Sequence, residues 1–354
     1  MTATDGTAGT AADGTGTALP DAVRHLRELA LSAAGAAAVR VAARLGLADA
    51  LGDAPRTAAD LAADVGADPA ATLRLLRVLA SHGLFTATDD GRWAHTPMSR
   101  LLRDDAPLGL RHSVLWATEP WTWQLWPHLE QAVRSGHSVF EDLHGQEFFA
   151  YLHAEAPQSA EVFNRAMTQS SRLSGRAIAD VLDLAGAEVV ADIAGGQGHV
   201  LRTLLERHDH LRGVLFDLPE VVAAADPALR PGGALAGRVR LVAGDCRHDV
   251  PVRADLYLLK NILEWDDDST VATLRSIVAA ARPGARVMVL ENLIDGSPEM
   301  RFTTAMDLLL LLNVGGRKHT RQGLLDLMAK ADLRVTEVRP VNSYLHLIAA
   351  TVPG

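Results

Sequence analysis

The sequence contains a single cysteine, Cys246, in 354 residues. It therefore has no intrachain disulfide, lacks the cysteine clusters of a thiolate-type zinc site, and suits a reducing compartment. Basic charge is also scarce: 34 Lys and Arg against 43 Asp and Glu leave a net charge of −9. That balance argues against broad attraction to nucleic acid or an anionic membrane. No apolar run is long enough to span a bilayer, because the best candidate, Leu29 to Leu47, is interrupted by Arg40 and Arg44. No basic residue precedes Arg24, so no secretory leader is expected. A cytoplasmic, soluble protein is the expectation. Hydrophobic residues make up 48% of the chain, and its length suits roughly two domains.

Residues 1–20 are mostly Thr, Gly, Ala and Asp and read as a disordered tail. Residues 21–105 read as one domain. Leu26, Leu29, Ala30 and Ala33 recur at helical spacing, and Ala37, Val41, Leu45 and Leu47 extend the stripe. Small residues along it suit a second copy of the same chain. Thr57 is placed to cap one helix, and the Asp68-Pro69 pair opens another, carrying Leu73, Leu75, Leu76 and Leu79. Two extended runs around Asp89-Asp90-Gly91 follow as a hairpin. Helix, turn, helix and hairpin describe a winged helix, a fold that often binds DNA. Here only Arg74 and Arg77 lie on the second helix and the wing tip is acidic, which favours dimerisation.

Residues 106–185 read as a helical, substrate-pocket segment, and most of the aromatic residues fall there. From 186 to 354 the texture changes to short β-like runs alternating with helices: VVADIA, LRGVLFDLP, RVRLVAGD, ADLYLLK and ARVMVLEN. This alternation predicts an α/β, Rossmann-like, doubly wound parallel sheet. Two closing runs, VTEVRPV and LHLIAATV, are expected to pair antiparallel.

The first strand runs into Asp192-Ile193-Ala194-Gly195-Gly196-Gln197-Gly198 and a helix begins at once. Small residues let the backbone approach a ligand, and a helix start offers free N–H groups. Asp217 ends the second strand, twenty-five residues after Asp192, where a carboxylate can accept from ribose hydroxyls. Asp245 ends the third and Lys260 the fourth. Ligands of open α/β sheets bind at these carboxyl ends.

DIAGGQG, FDLPEVV, VAGDC, ADLYLLK, EWDDD and VMVLEN, preceded by the winged-helix segment, resemble the S-adenosylmethionine-dependent small-molecule O-methyltransferases. That family includes plant caffeate-type and bacterial antibiotic-tailoring enzymes, and the resemblance covers about residues 21–352. It implies a homodimer formed through the N-terminal domain, S-adenosylmethionine as methyl donor, no metal, and a winged helix that does not read DNA. By position it sets Asp192, Ala194 and Gly196 at the methionine end and its loop. Asp217 and Leu218 fall at the ribose, Asp245 and Cys246 at the adenine, and Lys260 on the adenosine side. Ala194 stands where the family usually has glycine, and Cys246 where it has Met or Phe.

The catalytic segment departs from the family. A phenol has a pKa of about 10, so a general base assists its deprotonation, and the family usually supplies a histidine just after the lysine. Here the segment is Lys260-Asn261-Ile262-Leu263-Glu264-Trp265-Asp266, with no histidine. Glu264 falls at or beside the base position. Two readings stand: a replacement base, or a residue that is solvated or caps the next helix. Glu291 matches the carboxylate that normally orients the base. In Gly315-Gly316-Arg317-Lys318-His319-Thr320 a further acid of the family is replaced by Lys318. His319 is either recruited to the site or exposed on its loop, and Asp307 either faces the acceptor or is a hydrogen-bonded helix residue. Trp123, Phe163 and Met167 are the candidate substrate contacts, implying a flat, apolar acceptor such as an aromatic polyketide. Two functions follow: methyl transfer to a hydroxyl, or S-adenosylmethionine retained as a fixed positive charge for other tailoring chemistry such as hydroxylation or decarboxylation.

Overall fold

The computed structural model describes residues 18–295 and 300–354. The chain divides into two compact units, one ending at Asp104 and the other beginning at Asp105. The expected tail lies outside the described residues as far as residue 17. Ala18–Pro20, assigned to it from composition, instead form the first turn of a helix that Asp21 and Arg24 support through an i,i+3 ion pair.

The first unit contains α1 (Ala18–Ala30), α2 (Ala33–Leu45), α3 (Leu47–Leu51), α4 (Ala58–Asp64), α5 (Pro69–Ser81), the hairpin β1 (Phe85–Ala87) and β2 (Trp93–His95), and α6 (Pro97–Arg100). Thr57 caps α4 by accepting from Asp60 N–H at 3.1 Å, and Asp68 caps α5 by accepting from Ala71 N–H at 2.8 Å. Leu47, Leu51, Leu61, Leu76, Leu79 and Phe85 form its interior. The helical stripe read from the sequence points outward as far as Leu45, whereas its last residue, Leu47, lies in that interior. Leu26 is 69% exposed and Leu29 71%, with Val41 and Leu45 also exposed, while Ala38, Ala42 and Ala43 on the other side of α2 are buried.

The second unit opens with six helices: α7 (Arg111–Ala117), α8 (Pro120–Leu125), α9 (Leu129–Ser135), α10 (Phe140–His144), α11 (Phe148–Ala154) and the 25-residue α12 (Pro157–Val181). Then come β3 (Val189–Ile193), α13 (His199–Arg207), β4 (Arg212–Asp217), α14 (Pro219–Ala223), β5 (Val239–Ala243), β6 (Leu256–Lys260), α15 (Asp267–Ala280) and β7 (Arg286–Glu291). The chain closes with α16 (Met300–Val314), α17 (Arg321–Lys330), β8 (Arg334–Pro340) and β9 (His346–Thr351).

These strands form one seven-stranded sheet in the order β5-β4-β3-β6-β7-β9-β8. The strands β3 to β7 are parallel, and β9 runs antiparallel to both β7 and β8, as the closing runs predicted. Strand alternation assigns the two faces. Ala191, Ile193, Phe216, Tyr257, Leu259, Val287 and Val289 pack towards α15 and α17, whereas Val190, Leu215, Leu256, Leu258, Met288 and Leu290 pack towards α12 and α13. A sheet covered on both faces keeps its strand ends as the accessible edge. The order reverses between β3 and β6, which puts a crevice at their carboxyl ends. Among the described residues no helix is long and apolar enough to cross a membrane.

Candidate active site

The turn after β3 is shaped by close approach. A Cβ on Gly195 would lie 2.5 Å from Asp192 Cγ and 2.7 Å from Leu215 Cδ1, so only glycine fits. Ala194 adopts a left-handed conformation, φ 49°. For an L-residue this costs about 1–2 kcal/mol, a strain typical of functional turns. Asp217, at the tip of β4, clamps the turn: its Oδ2 accepts from Gly196 N–H and its Oδ1 from Leu218 N–H, each at 2.7 Å. The Thr168 hydroxyl on α12 donates to Gln197 Oε1 at 3.0 Å.

Asp192 is buried, and its Oδ2 has no hydrogen-bond partner among the described residues. Burial, then the charge of Asp217, pushes its pKa up to about 7. Burial also raises Asp217, to about 6, against the pull of the two amides it accepts from. The Lys260 ammonium, at the tip of β6, has no side-chain hydrogen-bond or ion-pair partner among the described residues. Burial lowers its pKa, while Glu291, Asp192 and Glu264 act in the opposite sense. An orphaned carboxylate oxygen, a partnerless ammonium and a turn trimmed for close approach are what a polar nucleoside-bearing ligand would complete.

Asp245, after β5, is not open in the way its strand-end position suggested. Arg247 grips it through Nε and Nη2, the latter at 2.8 Å, and also reaches Glu147 ahead of α11. Burial would raise Asp245, but Arg247 outweighs it and holds the carboxyl below its ordinary value. Cys246 is buried, and burial pushes its thiol up to about 12.

A second polar cluster adjoins the first. Glu264 in the β6–α15 loop is ion-paired with Lys318 in the α16–α17 loop, and the two side chains are 14% and 6% exposed. Glu264 is therefore neither solvated nor a helix cap. Asp266 caps α15 instead, accepting from Ser269 N–H at 2.9 Å. Glu291 is buried at the end of β7 and accepts from Ile262 and Leu263 N–H at 3.0 and 3.1 Å, fixing the loop that carries Glu264. Burial, then the charge of Glu264, raises the Glu291 pKa. His319 is buried rather than exposed. Its Nε2 sits 2.6 Å from the Leu263 carbonyl, which requires Nε2 to carry the proton. Burial lowers its pKa, so it is the neutral ring that makes this contact. Asp307 on α16 accepts from Lys318 N–H at 2.6 Å.

The aromatic segment resolves into two populations. Trp121, Phe140 and Phe148 are core residues stacked edge to face. Phe163 is half-buried and meets Trp116, Phe148 and Phe149 with ring centroids 6.0 to 6.3 Å apart. Met167 lies one turn further along α12, also half-buried, whereas Trp123 on α8 makes no ring contact among the described residues. Sequence reasoning missed Arg247, although its position two residues after Asp245 is the turn geometry that lets the carboxylate fold back on it. It also missed Gly316, where an added Cβ would lie 1.7 Å from the Glu264 carbonyl oxygen.

The reversed sheet order, the trimmed turn and the strand-end carboxylates define an α/β enzyme that binds a nucleoside cofactor. Two family models match this sequence: an O-methyltransferase domain over residues 126–334 and an O-methyltransferase dimerisation domain over residues 27–105. The mitomycin biosynthesis 6-O-methyltransferase of Streptomyces lavendulae is 36% identical over 269 residues, covering 75% of this chain and 76% of that one. The solved mitomycin 7-O-methyltransferase MmcR superposes with a TM-score of 0.85 at 34% identity, over 95% of this chain and 99% of its own. The O-methyltransferase NcsB1 of neocarzinostatin biosynthesis was solved with S-adenosylmethionine and 2-hydroxy-5-methyl naphthoic acid. It superposes with a TM-score of 0.76 at 32% identity, over 90% of this chain and 96% of its own. The chain belongs to the O-methyltransferase family. It is an enzyme, and its cofactor is S-adenosylmethionine.

Proposed function

We propose that the enzyme methylates a hydroxyl of an aromatic polyketide or similar flat secondary metabolite, as a homodimer in the cytoplasm. The observation carrying this reading is that Lys260, at the tip of β6, feels the charges of Asp192, Glu291, Glu264 and Lys318 together. The naphthoic acid bound to NcsB1 is a molecule of this kind, and the half-buried Phe163 and Met167 suit an aromatic ring. S-adenosylmethionine supplies, when bound, an electrophilic methyl on a sulfonium.

The chain's own residues divide the remaining work. Asp192 takes the amino end of the cofactor's methionine on its orphaned oxygen, beside the turn of Ala194 and Gly196. Asp217 and Leu218 hold the ribose, and Asp245 and Cys246 border the adenine. Lys260 faces the adenosine side from the tip of β6. Phe163, Met167, Trp123 and Asp307 line the acceptor's approach. Glu291 and His319 act as positioning residues, since Glu291 Oε1 and His319 Nε2 both hold the backbone that leads to Glu264. Holding the acceptor oxygen in line with the methyl carbon is worth about 7–11 kcal/mol, more than a base typically contributes, so turnover does not require the family's histidine. The exposed stripe of Leu26, Leu29, Val41 and Leu45 supports the dimer, and the negative net charge and acidic wing tip speak against nucleic acid and anionic membranes as partners.

Incubation with methyl-labelled cofactor and a panel of polycyclic phenols tests the proposal. A labelled methyl ether and an equal amount of S-adenosylhomocysteine are expected. Conversion of the acceptor with the cofactor unconsumed would overturn it in favour of tailoring chemistry without methyl transfer.

A further inference from the structure

We propose that Glu264 and Lys318 act directly on the acceptor hydroxyl, Glu264 taking its proton and Lys318 its charge, and that this pair restricts turnover to acidified hydroxyls. The acceptors so defined are phenols conjugated to a carbonyl and vinylogous acids. The inference rests on the methyl-transfer reading above and names its substrate class.

The pair is built into the fold. Its two loops are fastened to each other by Arg317 N–H on the Glu264 carbonyl at 3.1 Å, by His319 on the Leu263 carbonyl, and by Arg317 Nη2 on Asp267 at 2.6 Å. Gly316 passes too close to Glu264 for any side chain. Lys318 is further anchored through its backbone to Asp307. Ion pairs this deep are weak contributors to stability, because desolvation offsets most of their attraction. Holding one so rigidly at the mouth of a cofactor crevice therefore points to chemistry. The charged and titratable groups around it are Lys260 at the tip of β6, Glu291 at the end of β7, Asp307 on α16, Asp267 on α15, and Arg317 and His319 on Lys318's own loop.

Proton and charge move together. The acceptor O–H breaks and its proton passes to a Glu264 carboxylate oxygen. Neutral Glu264 releases its hold on the Lys318 ammonium, which follows the negative charge to the acceptor oxygen. The O–CH3 bond then forms as the S–CH3 bond breaks, with the electron pair going to sulfur, and Glu264 returns its proton to water. Carboxylic acids and ordinary phenols differ in acidity by roughly five to six powers of ten, so the transfer is steeply uphill for a simple phenol. A conjugated carbonyl removes much of that gap, and the ammonium a further part.

The test uses wild type, Glu264→Gln, Lys318→Met and the double variant, which removes both charges of the pair and strands neither. Three probe acceptors are compared: naphthol, juglone (a carbonyl-conjugated phenol) and lawsone (a vinylogous acid already ionised at neutral pH). Wild type is expected to favour juglone and lawsone over naphthol by at least about 100-fold in kcat/KM. Glu264→Gln is expected to lower juglone turnover at least about tenfold more than lawsone turnover, while Lys318→Met lowers both. In parallel, the visible absorbance of juglone bound with S-adenosylhomocysteine reports its ionisation without turnover. Wild type should lower the bound hydroxyl's pKa by at least about one unit and Lys318→Met should not. Equal losses for juglone and lawsone in Glu264→Gln, or a bound pKa indifferent to Lys318, would overturn the proposal while methyl transfer stood. Absence of methylation with every probe would instead sink the proposed function, and the absorbance titration would still decide the role of the pair.

Discussion

Cofactor binding should be coupled to proton release, because two buried carboxylates at the crevice are held partly protonated. Asp192 titrates at about 7 and Asp217 at about 6, both raised chiefly by burial, and Asp192 further by its neighbour. A sulfonium-bearing, hydroxyl-rich ligand favours the ionised form of each. If both must ionise, the cost is about 22-fold in affinity at about pH 6 and negligible at about pH 8, so the dissociation constant should rise about twentyfold between them. At about pH 6.5 about one proton should leave per cofactor bound. Titration calorimetry in buffers of different ionisation enthalpy reads both quantities, and Asp217→Asn should flatten the profile by removing one of the two groups. For the free protein the sign is set by folded pKa values above the unfolded ones. The stability these carboxylates contribute is fully present below about pH 4 and is lost as the pH rises through about 6 to 7. A pH-independent dissociation constant with no proton release would refute the reasoning.

Gly316→Ala should be among the most damaging single-methyl additions in the protein, since the new Cβ would lie 1.7 Å from the Glu264 carbonyl oxygen and the loop must move. Destabilisation of about 1–3 kcal/mol by denaturant titration is expected, with loss of methyl transfer exceeding loss of cofactor affinity. Leu26→Asp combined with Leu29→Asp should convert the dimer to monomer in sedimentation analysis without unfolding either unit, because both side chains are already exposed in the single chain.

What the sequence made legible was local or periodic. Thr57 and Asp68 cap helices because a short polar side chain reaches back within one turn, and that information lies within four residues. The cap of α15 was instead sought at Glu264, two residues before Asp266, which makes it. The sheet was legible because parallel strands covered on both faces read as near-continuous apolar runs, and their last residues are then the strand tips. Pairings between distant segments were hidden. Glu264 and Lys318 are separated by 54 residues, and nothing near Glu264 announces that a lysine will neutralise it. His319 was hard to judge for the same reason, its partner being a carbonyl 56 residues away. The helical stripe of the first unit holds as one face only as far as Leu45, with Leu47 turned inward at the start of α3, and periodicity cannot say whether a face meets its own chain or another. The break between α2 and α3 falls at Gly46, whose left-handed φ of 68° lets the chain turn within an otherwise continuous apolar pattern.

The lone thiol has a practical consequence. Buried in the turn that follows β5 and protonated throughout the neutral range, Cys246 offers no thiolate to alkylating dyes or oxidants while the protein is folded. The native chain therefore behaves as a cysteine-free background: a cysteine introduced on any exposed helix can carry a fluorophore or spin label with no prior replacement of Cys246. Its own slow modification then becomes a clock for local opening of that turn, and a bound nucleoside should slow that clock.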